Sequence, residues 1–134
     1  MALNPKYATA AVNAKVNAQG DLLNSGFLDL YDGVQPASAD TAITTQMRLA
    51  RLTFGNPAFA SGVSGVATAN AITPERATHT GIATWFRTVQ SDGTTAVYDG
   101  SVGTSGANLN LNSVNISVSA SVSVTSFTMA ESQG

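Results

Sequence analysis

The stretch GIATWFRTVQSDGTTAVYDGSVG, residues 81–103, decides the fold of this chain. Two segments in which polar and apolar residues alternate flank the dipeptide Asp92-Gly93. Asp-Gly between alternating segments is a strong signal for a β-hairpin, because a type I′ turn needs positive φ at both central residues. The stretch therefore predicts two antiparallel strands joined by a tight turn.

Counting outward from a turn centred on Asp92-Gly93 gives the residues that face each other across the hairpin. The predicted pairs are Val89 with Ala96, Arg87 with Tyr98, Trp85 with Gly100 and Ala83 with Val102. This side of the hairpin is the more apolar one, so we expect it to face the core, with Trp85 and Tyr98 as core anchors. The opposite side is only half apolar, which favours contact with solvent or a partner, and Phe86 is its predicted interface residue.

From Leu109 onward, apolar residues recur with a period of two, which a strand collects on one side and a helix scatters. They are Val114, Ile116, Val118, Ala120, Val122 and Val124. The run is too long for one typical strand, so we expect a break near 119–121. Apolar residues then move to odd positions, beginning with Phe127, which predicts a bulge or bend near 125–126. Val122 and Phe127 are the predicted core anchors of this region.

The rest of the chain contains one segment of helical character, followed by short strands. Residues 6–25 carry Val12, Val16 and several alanines near helical spacing, which favours a helix, with an extended arm as the alternative. Further strands are predicted at 27–31, 47–54 and 66–73, and loops at 34–46 and 55–65. Seven or eight short strands with long loops predict an all-β fold, a jelly-roll-like antiparallel β-sandwich. We expect one domain over 1–134, with the helix or arm in 1–25 and the sandwich in 26–130.

Charged residues make up 10% of the 134-residue chain, and its formal net charge is −2. The six Lys and Arg residues are spread along the sequence and form no basic stripe, which argues against direct binding to nucleic acid. There is no cysteine, so disulfides and thiolate chemistry are excluded. The sequence has no apolar run of about 20 residues and its start does not resemble a signal peptide. We therefore expect no membrane contact and synthesis in the cytoplasm.

Candidate catalytic and metal-binding residues are few. His79 is the only histidine and lies in a polar stretch, so a surface histidine is a simpler interpretation than a zinc ligand or a general base. Asp29 and Asp32 are three residues apart, and on an extended strand they project to opposite faces. The glycine-rich segment 100–106 lacks the Lys-Ser/Thr ending and the following helix of a phosphate-binding loop. We expect no catalytic residue, no cofactor and no metal.

Five segments of the chain have a familiar sequence: 30–37 (LYDGVQPA), 69–73 (ANAIT), 83–87 (ATWFR), 91–95 (SDGTT) and 99–103 (DGSVG). Together they resemble small virion proteins of tailed bacteriophages, in particular capsid cement, or decoration, proteins. The resemblance extends from Phe27 to Met129 and leaves the N-terminal segment outside. It implies a jelly-roll-like fold that binds, as a dimer or trimer, to a shell of major capsid protein.

A non-enzymatic capsid cement protein is therefore our principal hypothesis. It implies synthesis in the cytoplasm of a host bacterium, a location on the capsid surface of the virion, and the major capsid protein of neighbouring capsomers as partner. The expected contact residues are Leu3, Tyr7, Val34, Gln35, Ile43 and Phe86, from the N-terminal segment, the 34–46 loop and the hairpin. A tail or fibre component of the virion is an alternative of the same class. A carbohydrate-binding β-sandwich module is the alternative from another class, and it requires exposed aromatic side chains.

Overall fold

The computed structural model describes residues 3–133 and shows a β-rich chain with one helix. The helix, α1, spans Thr9–Leu22. The strands within the described residues are β1 (Phe27–Tyr31), β2 (Arg48–Thr53), β3 (Val66–Thr68), β4 (Glu75–Arg76), β5 (Gly81–Ile82), β6 (Trp85–Val89), β7 (Ala96–Gly103), β8 (Leu109–Asn110), β9 (Asn115–Ile116), β10 (Ser121–Val122) and β11 (Thr128–Ala130). The β-rich class is as predicted. The strands outnumber the predicted seven or eight because several of them are only two residues long.

The helix α1 confirms the helical alternative for the N-terminal region. Its apolar side is set by Val12 and Val16, which are four residues apart and therefore project in nearly the same direction, and both are buried. Gly20 continues this side and allows a close approach, since a Cβ atom there would lie 3.3 Å from Cβ of Phe59. Residues 3–8 precede the helix as an exposed segment without regular secondary structure. We call residues 3–6 the N-terminal arm.

The largest sheet has five strands in the order β2-β1-β6-β7-β8, all antiparallel to their neighbours except β7 with β8. Three two-stranded pairs, β10-β4, β11-β3 and β5-β9, account for the other strands recorded within residues 3–133. One face of the five-stranded sheet contributes Leu28, Leu30 and Phe86 to the main hydrophobic core. The helix and the β-pairs supply the remainder of that core, including Val16 and Met129. The core therefore lies on one face of the curled sheet.

The hairpin β6–β7 forms as predicted, but its register differs from the prediction. The observed pairs are Val89 with Ala96, Thr88 with Tyr98, Arg87 with Asp99, Phe86 with Gly100 and Trp85 with Ser101, while Val102 bonds to Thr84 and does not face Ala83. Only the first pair matches the prediction. The register shifts by one residue at a bulge, where Val97 has no partner of its own on β6. The bulge therefore moves Tyr98 and Gly100 to the side of the hairpin that carries Phe86.

The turn of this hairpin is a four-residue loop and not the predicted type I′ turn. The N–H of Gln90 donates to the carbonyl of Thr95 (2.9 Å), which closes the loop over 91–94. Gly93 has a φ of 77°, but Asp92 is not among the residues with positive φ. The Asp92 carboxylate instead accepts hydrogen bonds from the N–H (2.8 Å) and the hydroxyl of Thr95. An aspartate that bonds the backbone of its own turn in this way stabilises the turn without itself adopting left-handed geometry.

The alternating C-terminal region is divided among β8, β9, β10 and β11, with both interruptions near their predicted places. Ser119 has a φ of 70° and lies within the predicted break. The even-numbered Ile116 and Val122 are buried, whereas beyond the bend at 125 the odd-numbered Phe127 and Met129 are buried. The predicted change of parity is therefore confirmed.

Candidate functional site

Four charged residues form a row across the face of the five-stranded sheet that is opposite the main core. The row crosses β2, β1, β6 and β7 in the order Arg51, Asp29, Arg87 and Asp99. Arg51 donates two hydrogen bonds to Asp29, at 2.7 and 2.8 Å. Arg87 donates two to Asp99, at 2.7 and 2.9 Å. The signs of charge alternate along the row, and we call these four residues the ionic ladder.

The ionic ladder is largely shielded from solvent. The side chains of Asp29, Asp99 and Arg87 are 1%, 4% and 7% exposed, respectively. Because the surroundings are less polar than water, each bidentate pair is strong as long as both partners are present. The hydrogen bond from each guanidinium to its carboxylate favours the charged arginine, which raises the pKa of Arg51 and of Arg87 above the ordinary value.

An aromatic pair lies beside the ionic ladder on the same face. The rings of Tyr31 and Trp85 stack with centroids 4.5 Å apart and planes 14° apart. Trp85 is fully buried and donates its indole N–H to the carbonyl of Asp32 (2.9 Å). The guanidinium carbon of Arg87 is 5.5 Å from the centre of the Trp85 ring. Burial, and secondarily the charge of Asp29, raises the pKa of Tyr31.

The 34–46 loop is fastened to this face of the sheet. Its two ends are joined by a hydrogen bond from the side-chain amide of Gln46 to the carbonyl of Val34 (2.6 Å). A guanidinium N–H of Arg87 reaches the carbonyl of Ser38 at 3.4 Å, which connects the ionic ladder to the middle of the loop. The loop is therefore held at its ends by the Gln46 side chain and in its middle by Arg87 of the sheet.

The predicted contact residues in the loop and in the N-terminal segment lie mainly at the surface. Val34 is 79% exposed, Gln35 is exposed and Ile43 is half-buried. Leu3 and Tyr7 are 93% and 41% exposed. Apolar side chains as open as those of Leu3 and Val34 gain free energy when another surface covers them. These positions satisfy the exposure that docking requires, and their role as contacts stays a prediction.

Tyr7 is the residue at which the N-terminal segment joins the body of the protein. Its N–H donates to the carbonyl of Gln133 (2.7 Å), and the side-chain amide of Gln133 donates to the hydroxyl of Thr9 (3.1 Å). Nζ of Lys15 lies 3.4 Å from the centre of the Tyr7 ring, a cation–π contact. The chain is thus anchored from Tyr7 onward, and Leu3 lies beyond this anchor.

Phe86 is not a surface residue, so its prediction as a contact residue is wrong. It is completely buried, and its ring packs edge to face against Tyr98 and Phe127, with centroids 5.5 and 5.3 Å apart. The ring covers Gly100, where a Cβ atom would lie 2.5 Å from it. The sequence predicts that Trp85 faces Gly100. Because of the bulge, the aromatic residue that faces this glycine is Phe86.

The four predicted core anchors lie on both faces of the sheet. Val122 and Phe127 belong to the main core, whereas Trp85 is buried beside the ionic ladder. Tyr98 is half-buried and packs against the main core. Its hydroxyl is buried without a hydrogen-bond partner among residues 3–133, and burial raises its pKa far above the ordinary value for tyrosine.

The residues considered for catalysis or metal binding are dispersed. His79 is exposed, and its Nδ1 lies 3.2 Å from the carbonyl of Arg48. Asp32 accepts a hydrogen bond from the N–H of Met47 (2.6 Å), while Asp29 belongs to the ionic ladder, so these two carboxylates engage different partners. Within the described residues, no group of three or more His, Cys, Asp or Glu side chains is placed to hold a metal ion.

The sequence patterns do not predict the ionic ladder, although they contain its signal. Asp29 lies between leucines in FLDLY, and Arg87 lies among apolar residues in WFRTV. A charge inside a short apolar strand requires an opposite charge nearby, because burying it alone is costly. The partner of each residue depends on the strand register, and only the bulge at Val97 brings Arg87 opposite Asp99.

Comparison with known proteins gives no match to a family model, to a curated protein or to a solved structure. No helix within residues 3–133 is long and apolar enough to cross a lipid bilayer.

Proposed function

We propose that this chain is a capsid cement protein of a tailed bacteriophage, a non-enzymatic component of the virion. As a dimer or trimer it binds the major capsid protein on the outside of the shell and bridges neighbouring capsomers. Packaged DNA pushes capsomers apart, and many copies of a modest contact resist this force because linked contacts raise the effective affinity. The jelly-roll-like antiparallel sandwich implied by the family resemblance is part of the same proposal.

The observation that carries the proposal is the presence of uncovered apolar residues on a firmly held body. Val34 lies on the 34–46 loop, which is tied to the ionic ladder, and Leu3 extends from the anchor at Tyr7. Because the 34–46 loop is held at its ends and by Arg87, Val34 loses little conformational freedom when it binds, which favours affinity. The surrounding surface is rich in Ser, Thr and Asn, which suits hydrogen-bonded and water-mediated contacts with a protein shell.

Two alternatives, a tail or fibre component and a carbohydrate-binding module, differ from a cement protein in where they bind and in whether aromatic side chains are exposed. A tail or fibre component would present the same exposed segments. It would differ from a cement protein in binding to phage tails and not to capsid shells. A carbohydrate-binding module has less support, because Trp85 and Phe86, the aromatic residues that it most needs at the surface, are both fully buried.

The direct test uses purified protein and DNA-free, expanded shells of the phage that carries the gene. Co-sedimentation measures how many copies bind per shell, and heating the shells measures the temperature at which they open. We expect saturable binding and a higher opening temperature in the presence of the protein. A tail component would leave both the shells and their opening temperature unaffected, and that result would contradict the proposal.

Two variants test the contact surfaces, and a third is the control. Deleting residues 1–6 removes the N-terminal arm but keeps the hydrogen bond between Tyr7 and Gln133, and Val34→Asp places a charge on the 34–46 loop. Covering a Leu or Val side chain gains about 1.5–3 kcal/mol. We therefore expect shell affinity to fall by roughly tenfold or more for each variant. Val118→Asp makes the same change at a residue 55% exposed elsewhere and should bind normally. Equal binding by all three variants would exclude these contact surfaces.

A further inference from the structure

Residues 62–66 form a tight turn, which we call the valine turn. The N–H of Val63 donates to the carbonyl of Val66 (2.9 Å), and the N–H of Val66 donates to the carbonyl of Val63 (3.0 Å). Between them, Ser64 and Gly65 have φ values of 51° and 78°. Positive φ at both central residues is what a type I′ turn requires. The turn therefore holds Val63 and Val66 directly opposite each other.

The two valines of the turn lie on one side of it and are exposed. Directly opposite residues of an antiparallel pair project their side chains to the same face. Val63 is 71% exposed and Val66 is 41% exposed. The sequence of the valine turn, GVSGV, contains no charged residue. The turn thus presents two neighbouring apolar side chains that the core of this chain leaves uncovered.

The helix α1 holds the valine turn from behind. Oδ1 of Asn13 accepts a hydrogen bond from the N–H of Gly65 (2.7 Å), and Oδ1 of Asn17 accepts one from the N–H of Gly62 (2.6 Å). The two asparagines are one helical turn apart, so they lie on the same side of α1. Gly62 lies directly against the helix, since a Cβ atom there would lie 2.5 Å from Cγ1 of Val16. The valine turn is therefore fixed before any partner binds.

The valine turn adjoins the anchor of the N-terminal arm. The N–H of Glu131 donates to the carbonyl of Gly65 (2.8 Å), and the N–H of Tyr7 donates to the carbonyl of Gln133 (2.7 Å). Because Glu131 and Gln133 are two residues apart, no more than about 7 Å of chain separates these two hydrogen bonds. The turn and the anchor are thus attached to neighbouring positions of one segment.

The helix α1 provides a second link between the turn and the anchor. A Cβ atom at Gly65 would lie 3.3 Å from Cγ2 of Val12, and Nζ of Lys15 lies 3.4 Å from the centre of the Tyr7 ring. Residues three apart in a helix, such as Val12 and Lys15, are neighbours on its surface. We call the exposed residues at this end of α1 the valine surface: Tyr7, Val63 and Val66.

We infer that the valine surface binds an apolar surface of the major capsid protein, next to the site that receives the N-terminal arm. The inference rests on the proposed function and extends its N-terminal contact from the arm onto the folded body of the protein. Tyr7 is 41% exposed and connects the two parts, because it lies between Leu3 and the turn. The arm has no regular structure, whereas the braced turn loses little conformational freedom when it binds.

The size of the valine surface argues against a second copy of this chain as its occupant. A stable interface between two proteins buries roughly 800 Å² on each partner. Two valines and a tyrosine, each already partly covered, expose only a fraction of that area. On a shell, the same residues act together with the N-terminal arm and the 34–46 loop, and linked contacts raise the effective affinity. A capsid partner therefore needs less from this surface than a dimer does.

Co-sedimentation with DNA-free, expanded shells tests the inference. We expect Val63→Asp to raise the dissociation constant for shells by about tenfold or more, because the charged side chain loses the free energy gained by covering a valine. Val118→Asp makes the same change at another exposed valine and should leave the constant unchanged. The circular dichroism spectrum and the urea midpoint of Val63→Asp should match those of the wild type, since Val63 is 71% exposed.

Hydroxyl-radical footprinting of the wild-type protein supplies a measurement that needs no variant. Side chains that the shell covers react more slowly with the radical, and mass spectrometry resolves the affected residues. We expect the reaction of Tyr7 and Val63 to slow severalfold on shells, while Leu22 and Val118, exposed elsewhere, react as in the free protein. If Leu3 is protected on shells but Val63 is not, the inference is wrong and the proposed function stands.

The other outcomes also separate this inference from the proposed function. Shell binding that Val63→Asp leaves unchanged would overturn the inference alone, whereas a wild-type protein that does not bind shells would overturn both. Equal weakening by Val63→Asp and Val118→Asp would point to the added charge and not to a covered valine, and would count against the inference. If sedimentation equilibrium shows a dimer that Val63→Asp dissociates while the shell affinity is unchanged, the valine surface binds a second copy, and a capsid partner is excluded.

Discussion

The ionic ladder predicts a large loss of stability when one charge of the pair Arg87–Asp99 is removed. Asp99→Asn nearly preserves the size of the side chain but removes the anion that bonds the Arg87 guanidinium, which is only 7% exposed, and leaves Asp29 on the neighbouring strand as the nearby charge. Breaking a buried ion pair from one side costs roughly 3–5 kcal/mol, because the remaining charge is uncompensated. The asparagine oxygen still accepts one hydrogen bond, so we expect a loss of about 3 kcal/mol in the free energy of unfolding. That is a large fraction of the roughly 5–15 kcal/mol typical of a folded domain.

Removing both charges together should cost much less than removing one. Hydrophobic side chains of similar volume often replace a buried ion pair at little or no cost. The double variant Arg87→Met, Asp99→Leu should therefore lose no more than about 1 kcal/mol. Comparison of the double variant with its two single variants isolates the coupling between the two residues.

Urea unfolding, followed by the fluorescence of Trp85 and by circular dichroism, measures these differences. The slope of the free energy against urea should stay constant, so that the midpoints report stability alone. Glu75→Gln removes an exposed carboxylate and should change the stability by no more than about 0.5 kcal/mol. A loss of less than about 1 kcal/mol for Asp99→Asn, or a double variant that loses the sum of the single losses, would show that the two charges are not coupled in this way.

Two further predictions concern Tyr98 and Asp92. Tyr98→Phe removes a buried hydroxyl that has no hydrogen-bond partner among the described residues, so it should raise the free energy of unfolding by about 1 kcal/mol in a urea titration, and a loss of stability would contradict this. The hydroxyl and the N–H of Thr95 bond the Asp92 carboxylate and lower its pKa from 3.8 to about 2. A depressed pKa means that the stabilisation is present above the unfolded value and is lost as the pH falls through the folded one. The stability difference between wild type and Asp92→Asn should therefore vanish below pH 2, and an NMR titration midpoint near 3.8 would disprove the assignment.

The sequence predicts the strands of this protein better than their register. Alternation is a local property, so β1, β2 and the tail strands appear where the two-residue period places them. Register depends on counting, and one bulged residue, Val97, invalidates the count beyond it. The bulge is stabilised by the hydroxyl of Thr88, which lies 3.2 Å from both the N–H and the carbonyl oxygen of Tyr98. This contact exists only after the strands have met, so no short sequence pattern encodes it.

The bulge at Val97 also explains why Phe86 is buried against the prediction and why the ionic ladder is not predicted from the sequence. Without the bulge, Arg87 would face Tyr98, and Asp99 would lie on the other side of the hairpin. With the bulge, the two charges meet, and the Phe86 ring enters the core above Gly100. A single backbone irregularity therefore decides both the burial of an aromatic residue and the pairing of two ions. The exposed positions Leu3 and Val34 do not depend on register, which is why the sequence could place them at the surface.

The location of the charges also affects how the protein can bind. The chain has only fourteen charged residues, six basic and eight acidic. Four of them form the ionic ladder, in which three side chains are buried and that of Arg51 is 27% exposed. A surface that carries few charges loses little hydration energy when another protein covers it, because desolvating ions is the most expensive part of burial. The ionic ladder, through Arg87, simultaneously holds the 34–46 loop from below. The ion pairs of the ladder thus hold the loop that presents Val34, and they leave few charges on the surface around it. Weakening the ladder should therefore lower the affinity of the 34–46 loop for a partner, although the ladder itself does not touch that partner.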